Sequence, residues 1–397
     1  MASSTANEAE KGGIWRLPST AMALGWWKPQ WPTRRFPRCR DQRSFRVCLL
    51  VSGAAVLLGI VLYACHYLRP HKSISFTDAN LTFVLDWDLH EYFYPQLQHY
   101  QCRELVSQDD LCQGEIPGGP PLLLMAIKSH PASNSRRAIL RRTWAQPRVA
   151  GGFRLKYVFL MAISPDARHA NLVQQETDAI GDILMWDFVE SHHNLSLKER
   201  CFLQWLQRHC QQAAYIFKGD DDLFVNIEAL TEYLNQTPSV SEFIHGYIQD
   251  YSKVVRQGKY AVPLDFYPMR WYPNFASGGG FIMSRSSILK LYKASLELPV
   301  FPLDDVYLAF LALASGLQYW HEERFRVWGP PEDELEVYRD SLTVHGISMD
   351  RIQQVWKQLQ SPLKWKEPPP TQRPTIRLFS TQSEPLVACS DGSMPEF

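Results

Sequence analysis

No Asp, Glu, Lys or Arg occurs between Val47 and Leu68. A helix over that stretch reaches across the hydrocarbon core of a bilayer, roughly 30 Å thick, and its lack of a polar face disfavours an ordinary buried helix of a globular domain. The chain also lacks net charge: 41 Lys and Arg balance 41 Asp and Glu over 397 residues. With no positive field to neutralise phosphates, no nucleic-acid partner is expected. The eight cysteines contain no CxxC pair, which excludes a zinc ribbon. No internal repeat is visible. Charged residues reach only 21% against 45% hydrophobic, so most of the chain is expected to fold.

Topology follows from the flanks of the apolar stretch. Arg34, Arg35, Arg38, Arg40, Arg43 and Arg46 precede it, and only Arg69 and Lys72 closely follow. Basic residues stay in the cytosol, so residues 1–46 read as a cytosolic tail and 47–68 as a type II signal anchor. A cleaved signal peptide would stand nearer the start. Three glycosylation triplets lie on the side expected to be lumenal, beginning at Asn80, Asn194 and Asn235. In an oxidising lumen Cys102 and Cys112 are placed to close a short loop. Cys201 and Cys210, nine apart in a helical segment, would stand about 13 Å apart and cannot pair with each other.

Residues 69–118 end in the turn-rich Ile116–Pro121 and read as a stem with a small ordered piece rather than a second domain. The folded unit is expected over 119–360. Leu122–Ile127 is a continuous apolar run suited to a strand buried on both faces, and a basic helix-like stretch follows from Arg136 to Trp144. Further strands are expected over Leu155–Ala162, Asp182–Trp186 and Ala214–Lys218, and helices over Ala167–Ile180 and Leu197–Cys210. This alternation implies an α/β fold with a mostly parallel sheet, whose ligands bind beyond the carboxyl ends of the strands. Residues 361–397 carry Glu367-Pro368-Pro369-Pro370 and read as a largely disordered tail.

Three segments carry chemistry. The strand Ala213–Lys218 runs into Gly219-Asp220-Asp221-Asp222. Alternation along an extended chain puts Asp220 and Asp222 on one side, where two hard oxygen ligands suit Mn²⁺ or Mg²⁺. A solvated acidic turn or a helix cap is the plainer alternative. Asp304-Asp305 precedes an apolar helix, so one carboxylate is placed to cap it while the other stands as a general base. Between them lies Trp271–Phe281, in which Gly278, Gly279 and Gly280 allow a backbone to approach a ligand closely.

Leu122–Ser129, Arg136-Arg137 with Arg141–Trp144, Asp182–Phe188, Asn194–Lys198, Lys218–Asn226, Tyr272–Phe281 and Leu303–Tyr307 occur in the order found in the β-1,3-glycosyltransferases of glycosyltransferase family 31. The chain resembles that family over residues 119 to about 360, and Lys198 with Leu303-Asp304-Asp305-Val306 is closer to its β-1,3-N-acetylglucosaminyltransferase branch. The resemblance implies a GT-A fold. It implies that Asp220, Asp221 and Asp222 hold Mn²⁺ and the UDP diphosphate, with Asp222 a direct ligand, that His345 joins the metal, and that Asp305 is the base. Lys198, Arg137 and Gly279 would contact the nucleotide-sugar. Such Golgi enzymes are type II membrane proteins.

The implied reaction passes N-acetylglucosamine from UDP-N-acetylglucosamine to a galactose-terminated glycan of a glycoprotein or glycolipid. A galactose donor is the alternative within the class. A silent lumenal binding protein would have lost a metal or base carboxylate, and both stand here. A phosphohydrolase would need a second cluster of His and Asp ligands, which the sequence does not show. Ala309-Phe310-Leu311 departs from the family where Gly and then Cys are usual, leaving Cys210 without an obvious partner.

Overall fold

The computed structural model describes residues 42–67, 72–78, 81–114, 117–237, 242–361 and 377–379. The chain divides into two units, Met1–Arg69 and Pro70–Phe397. Among its described residues the first holds the helix α1 (Gln42–Tyr67), whose apolar side chains from Leu50 to Tyr63 are exposed. The expected span 47–68 lies partly outside the described residues, as Leu68 does wholly and the side chains at 47–49 and 65–67 do. Side chains of α1 are described continuously only from Leu50 to Ala64, and among the described residues no helix is long and apolar enough to cross a membrane.

The second unit opens with an antiparallel hairpin, β1 (Ser73–Asp78) and β2 (Leu81–Asp86). Asp86 then caps α2 (Trp87–Phe93) by accepting from the backbone N–H groups of Asp88 and Leu89. α3 (Pro95–His99) and β3 (Glu104–Val106) follow. Strands and helices next alternate: β4 (Leu122–Lys128), α4 (Asn134–Arg142), β5 (Arg148–Ala150), β6 (Phe153–Ile163), α5 (Ala167–Ile180), β7 (Ile183–Val189), α6 (Leu195–His209) and β8 (Ala213–Asp220). Then come β9 (Phe224–Val225), α7 (Ile227–Gln236), β10 (Phe243–Gln249), β11 (Phe275–Ser284), α8 (Arg285–Glu297) and α9 (Asp304–Ala314). The last elements are β12 (Gln318–His321), β13 (Phe325–Arg326), α10 (Leu335–Asp340), β14 (Thr343–Val344), α11 (Met349–Leu359) and β15 (Arg377–Phe379).

The main sheet has the order β15-β12-β10-β11-β8-β4-β6-β7-β3. β7, β6, β4 and β8 run parallel; β11 opposes both β8 and β10, and β10 pairs parallel with β12. The sheet is therefore mixed and mostly parallel, as expected from the alternation. β4 lies at its centre and is buried throughout. Its alternate residues feed two cores: Leu122, Leu124 and Ala126 meet Phe202 of α6, Leu291 of α8 and Phe310 of α9 on one face, and Leu123, Met125 and Ile127 meet Leu140 of α4, Leu230 of α7 and Ile352 of α11 on the other. A period of two with both faces covered is why this strand reads as an unbroken apolar run.

Two expectations are corrected. The segment read as a stem is folded into the unit: Phe76, Phe83, Leu85 and Leu97 join the first core, and the ring of Phe76 lies 6.3 Å from that of Phe310. The two strands are short, six residues each, and their core partner Phe310 lies far away in the sequence, which hid this. Cys102 and Cys112 also do not pair with each other. The disulfides are Cys102–Cys201 and Cys112–Cys210, each with Cα atoms 5.2 Å apart. The segment between Cys102 and Cys112 runs beside α6, which offers Cys201 on its flank and Cys210 at its end. Spatial proximity across almost a hundred residues overrides proximity in sequence. Cys389 lies outside the described residues, as does the expected tail, apart from Ser361 and from β15, which pairs antiparallel with β12.

Candidate active site

The carboxyl ends of β4 and β8 lie in register, Lys128 opposite Asp220. Beyond β8 the chain turns through Asp221 and Asp222, and the small sheet β13-β14-β9 brings His345 against that turn. One ligand atom from each of Asp220, Asp222 and His345 falls within 4.8 Å of the others. His345 Nδ1 lies 3.1 Å from the Val327 carbonyl oxygen. A carbonyl only accepts, so Nδ1 donates to it and Nε2 faces the aspartates, 3.4 Å from Asp222 Oδ1 and 4.0 Å from Asp220 Oδ2. Asp222 Oδ1 is buried without a hydrogen-bond donor. Burial raises the Asp222 pKa, only partly offset by His345. An orphaned carboxylate oxygen, a second carboxylate and an imidazole fixed by its other nitrogen fit a hard divalent cation such as Mn²⁺ or Mg²⁺.

Asp221 points elsewhere. It accepts from Ser129 Oγ at 2.7 Å and from Arg136 at 3.0 Å. Alternation along the strand end thus separates one aspartate from its two neighbours, as expected.

The second acidic site stands at the start of α9. Leu303 occupies the N-cap position, and no side chain caps the helix. Asp304 does not cap it. Its Oδ2 accepts from Lys128 Nζ at 2.8 Å, and the same Nζ lies 3.1 Å from Asp220 Oδ1. Burial disfavours the Asp304 carboxylate, but Lys128 outweighs it and lowers its pKa to about 2. Asp305 accepts from the Gly278 backbone N–H at 3.0 Å. Burial, then the charge of Asp304, pushes its pKa up to about 7. Asp304 and Asp305 line a cavity of about 330 Å³ together with Tyr260, Tyr272, Phe275 and Trp328.

A protein-family model described as "Galactosyltransferase" matches residues 135–323. Human N-acetyllactosaminide beta-1,3-N-acetylglucosaminyltransferase 3 is 34% identical over 293 residues, 69% of this chain and 78% of that protein. Mouse N-acetyllactosaminide beta-1,3-N-acetylglucosaminyltransferase 2 is 33% identical over 314 residues, 75% of each. The chain belongs to glycosyltransferase family 31. Human N-acetyllactosaminide beta-1,3-N-acetylglucosaminyltransferase 4 is 36% identical over 249 residues, and that match spans 64% of its length. These relatives place the chain on the β-1,3-N-acetylglucosaminyltransferase branch.

Within that family frame, several residues expected at the nucleotide are engaged by partners inside the protein. Arg137 is fully buried and donates to Glu176 at 2.8 and 2.6 Å, to Ser129 Oγ at 2.9 Å and to the His130 carbonyl at 2.7 Å. Lys198, also buried, donates to Glu190 at 2.8 Å and to the Ser129 carbonyl at 3.3 Å. A cation taken out of water must have its donors met, and both meet theirs inside the protein. They hold Ser129, which in turn holds Asp221.

Gly279 is likewise packed against the protein. A Cβ there would come 2.9 Å from Val327 Cγ1, so this glycine allows close packing between segments of the protein. Gly278 serves the site instead, through its N–H to Asp305. Of the glycan acceptors, Asn235 is exposed and donates to the Gly151 carbonyl at 2.7 Å, and half-buried Asn194 donates to the Val189 carbonyl at 2.8 Å. Asn80 lies outside the described residues.

Lys128, Ser129 and Arg136 stand in the blocks that carry the family resemblance, but the sequence assigns them no individual role. Lys128 had a signal: a lone cation closing a strand that is otherwise entirely apolar is costly unless paired.

Proposed function

We propose that this family 31 chain transfers N-acetylglucosamine from UDP-N-acetylglucosamine, with inversion, to the 3-hydroxyl of a terminal galactose. The observation that carries this reading is Asp305, a half-buried carboxylate held by the Gly278 N–H in a sugar-sized cavity, with its pKa pushed up to about 7. A base of that pKa is half deprotonated at neutral pH yet strong enough to take a proton from a hydroxyl that is becoming nucleophilic.

Asp305 accepts the proton of the 3-hydroxyl as its oxygen attacks the anomeric carbon. The bond from that carbon to the diphosphate breaks on the opposite face, and the electron pair leaves with UDP. Asp220, Asp222 and His345 would hold the divalent cation, which when bound offsets the charge developing on the leaving diphosphate. Lys128 keeps the Asp304 carboxylate charged and occupied, so of the two carboxylates lining the cavity Asp305 is the one basic enough to take a proton. No covalent nucleophile is needed.

The absence of charge from Val47 to Leu68 and the arginines before it support a type II anchor in the Golgi membrane with the transferase unit lumenal. Protease treatment of sealed microsomes tests the orientation. Digestion of the C-terminal unit without detergent would overturn it. The reaction is tested with a panel of UDP-sugars, UDP-galactose included, on galactose-terminated acceptors. The expected result is transfer from UDP-N-acetylglucosamine; selective use of UDP-galactose would reassign the donor.

A further inference from the structure

Trp328 lies in the cavity beside Asp305 with 79% of its surface exposed. An indole contributes to folding by burying its faces, and this one buries little. Its backbone is nevertheless tightly held. The preceding carbonyl, Val327 O, accepts from His345 Nδ1 at 3.1 Å, and the Val327 side chain fills the space left by Gly279. The following residue, Gly329, turns at φ +82°, in the left-handed region that favours glycine. A large apolar ring is thus presented to solvent from a held backbone, at a cavity lined by Asp305.

The cavity combines the carboxylates of Asp304 and Asp305 and the hydroxyl of Ser277 with the rings of Trp328, Tyr260 and Phe275. A ligand suited to such a lining has a hydroxyl-bearing edge and a hydrocarbon face. A galactopyranose has both, because its axial 4-hydroxyl occupies one face and leaves C–H groups on the other. Placing that face on an indole removes apolar surface from water and adds dispersion contacts.

We infer that Trp328 is the acceptor platform: its indole covers the hydrocarbon face of the accepting sugar and presents the hydroxyl edge to Asp305. This rests on the transferase reading and names the residue that sets acceptor affinity. Trp328 is a specificity residue, since it touches neither the proton nor the diphosphate.

The test compares the full-length chain in detergent with Trp328→Ala and Trp328→Phe. The expected result for Trp328→Ala is a rise of at least tenfold in KM for N-acetyllactosamine, with UDP affinity in the presence of Mn²⁺ and the melting temperature both unchanged. Trp328→Phe should recover most of the loss. An acceptor KM within twofold of wild type, or an equal loss of UDP affinity, would overturn the assignment. Saturation-transfer NMR with N-acetyllactosamine separates this from failure of the transferase reading, because it needs no turnover. Saturation on the galactose C–H protons that disappears in Trp328→Ala supports the platform even in a silent protein, and saturation that persists refutes it.

Discussion

Lys128 Nζ lies 2.8 Å from Asp304 Oδ2 and 3.1 Å from Asp220 Oδ1, so a single buried ammonium joins the strand that ends in the candidate metal ligands to the helix that carries Asp305. Removing one member of a buried charge cluster leaves the others uncompensated, typically at about 3–5 kcal/mol. Lys128→Met is therefore expected to lower the melting temperature markedly. Asp304→Asn should cost less, since Lys128 retains Asp220. Thermal unfolding of both variants checks the order.

The same two substitutions should shift the base in opposite directions. Asp304 raises the Asp305 pKa and Lys128 lowers it. Asp304→Asn is expected to move the acid limb of the rate profile to lower pH, and Lys128→Met to higher pH. Shifts of the same sign would show that these residues do not act on Asp305 through charge.

Asp305 also sets the pH dependence of wild type. A base works deprotonated, so kcat/KM should rise with pH and level off above a midpoint at or below about 7, the lower values arising when a bound cation adds positive charge nearby. Stability runs the other way. The folded pKa lies above the ordinary 3.8, so the stabilisation from holding this proton is complete below about 3.8 and is lost as pH rises toward 7. Denaturant midpoints measured across that window should fall while activity climbs.

The cation site should depend on Asp222 and His345 together. Asp222→Ala and His345→Ala are each expected to weaken Mn²⁺-dependent UDP binding at least tenfold by calorimetry, with little change in melting temperature, because Asp222 Oδ1 has no donor without the ion and the half-exposed His345 gives up one hydrogen bond. UDP affinity that is indifferent to both substitutions and to a chelator would contradict the site.

How much was legible depends on how far apart in sequence the partners lie. Asp220 and Asp222 were readable because strand alternation is local, and the central strand Leu122–Lys128 because its burial on both faces leaves an unbroken apolar run. The Lys128–Asp304 pair spans 176 residues and the two disulfides 99 and 98, and nothing in local pattern links such positions. Gly278 and Gly279 are indistinguishable in a run of three glycines. Only the packing of Val327 and the placing of Asp305 separate their roles.

The fold gives the segment before residue 119 a structural role. Phe76, Phe83, Leu85 and Leu97 lie in the core, and Cys102 and Cys112 tie the segment to α6. A chain beginning at residue 119 is expected to be insoluble or unfolded, and one beginning at residue 70 to fold. Cys102→Ser and Cys112→Ser should each cost about 2–4 kcal/mol. Circular dichroism of the two truncations decides the matter, and cooperative unfolding of the shorter one would contradict it.

The most direct test of the central claim is the product formed by the detergent-solubilised full-length chain from UDP-N-acetylglucosamine, Mn²⁺ and a β-galactoside, with Asp305→Asn alongside. The account predicts N-acetylglucosamine in β-1,3 linkage by NMR for wild type, and a rate lower by roughly 10²–10⁴-fold in Asp305→Asn with donor affinity retained. Near wild-type turnover in Asp305→Asn, or a product with retained anomeric configuration, would contradict it.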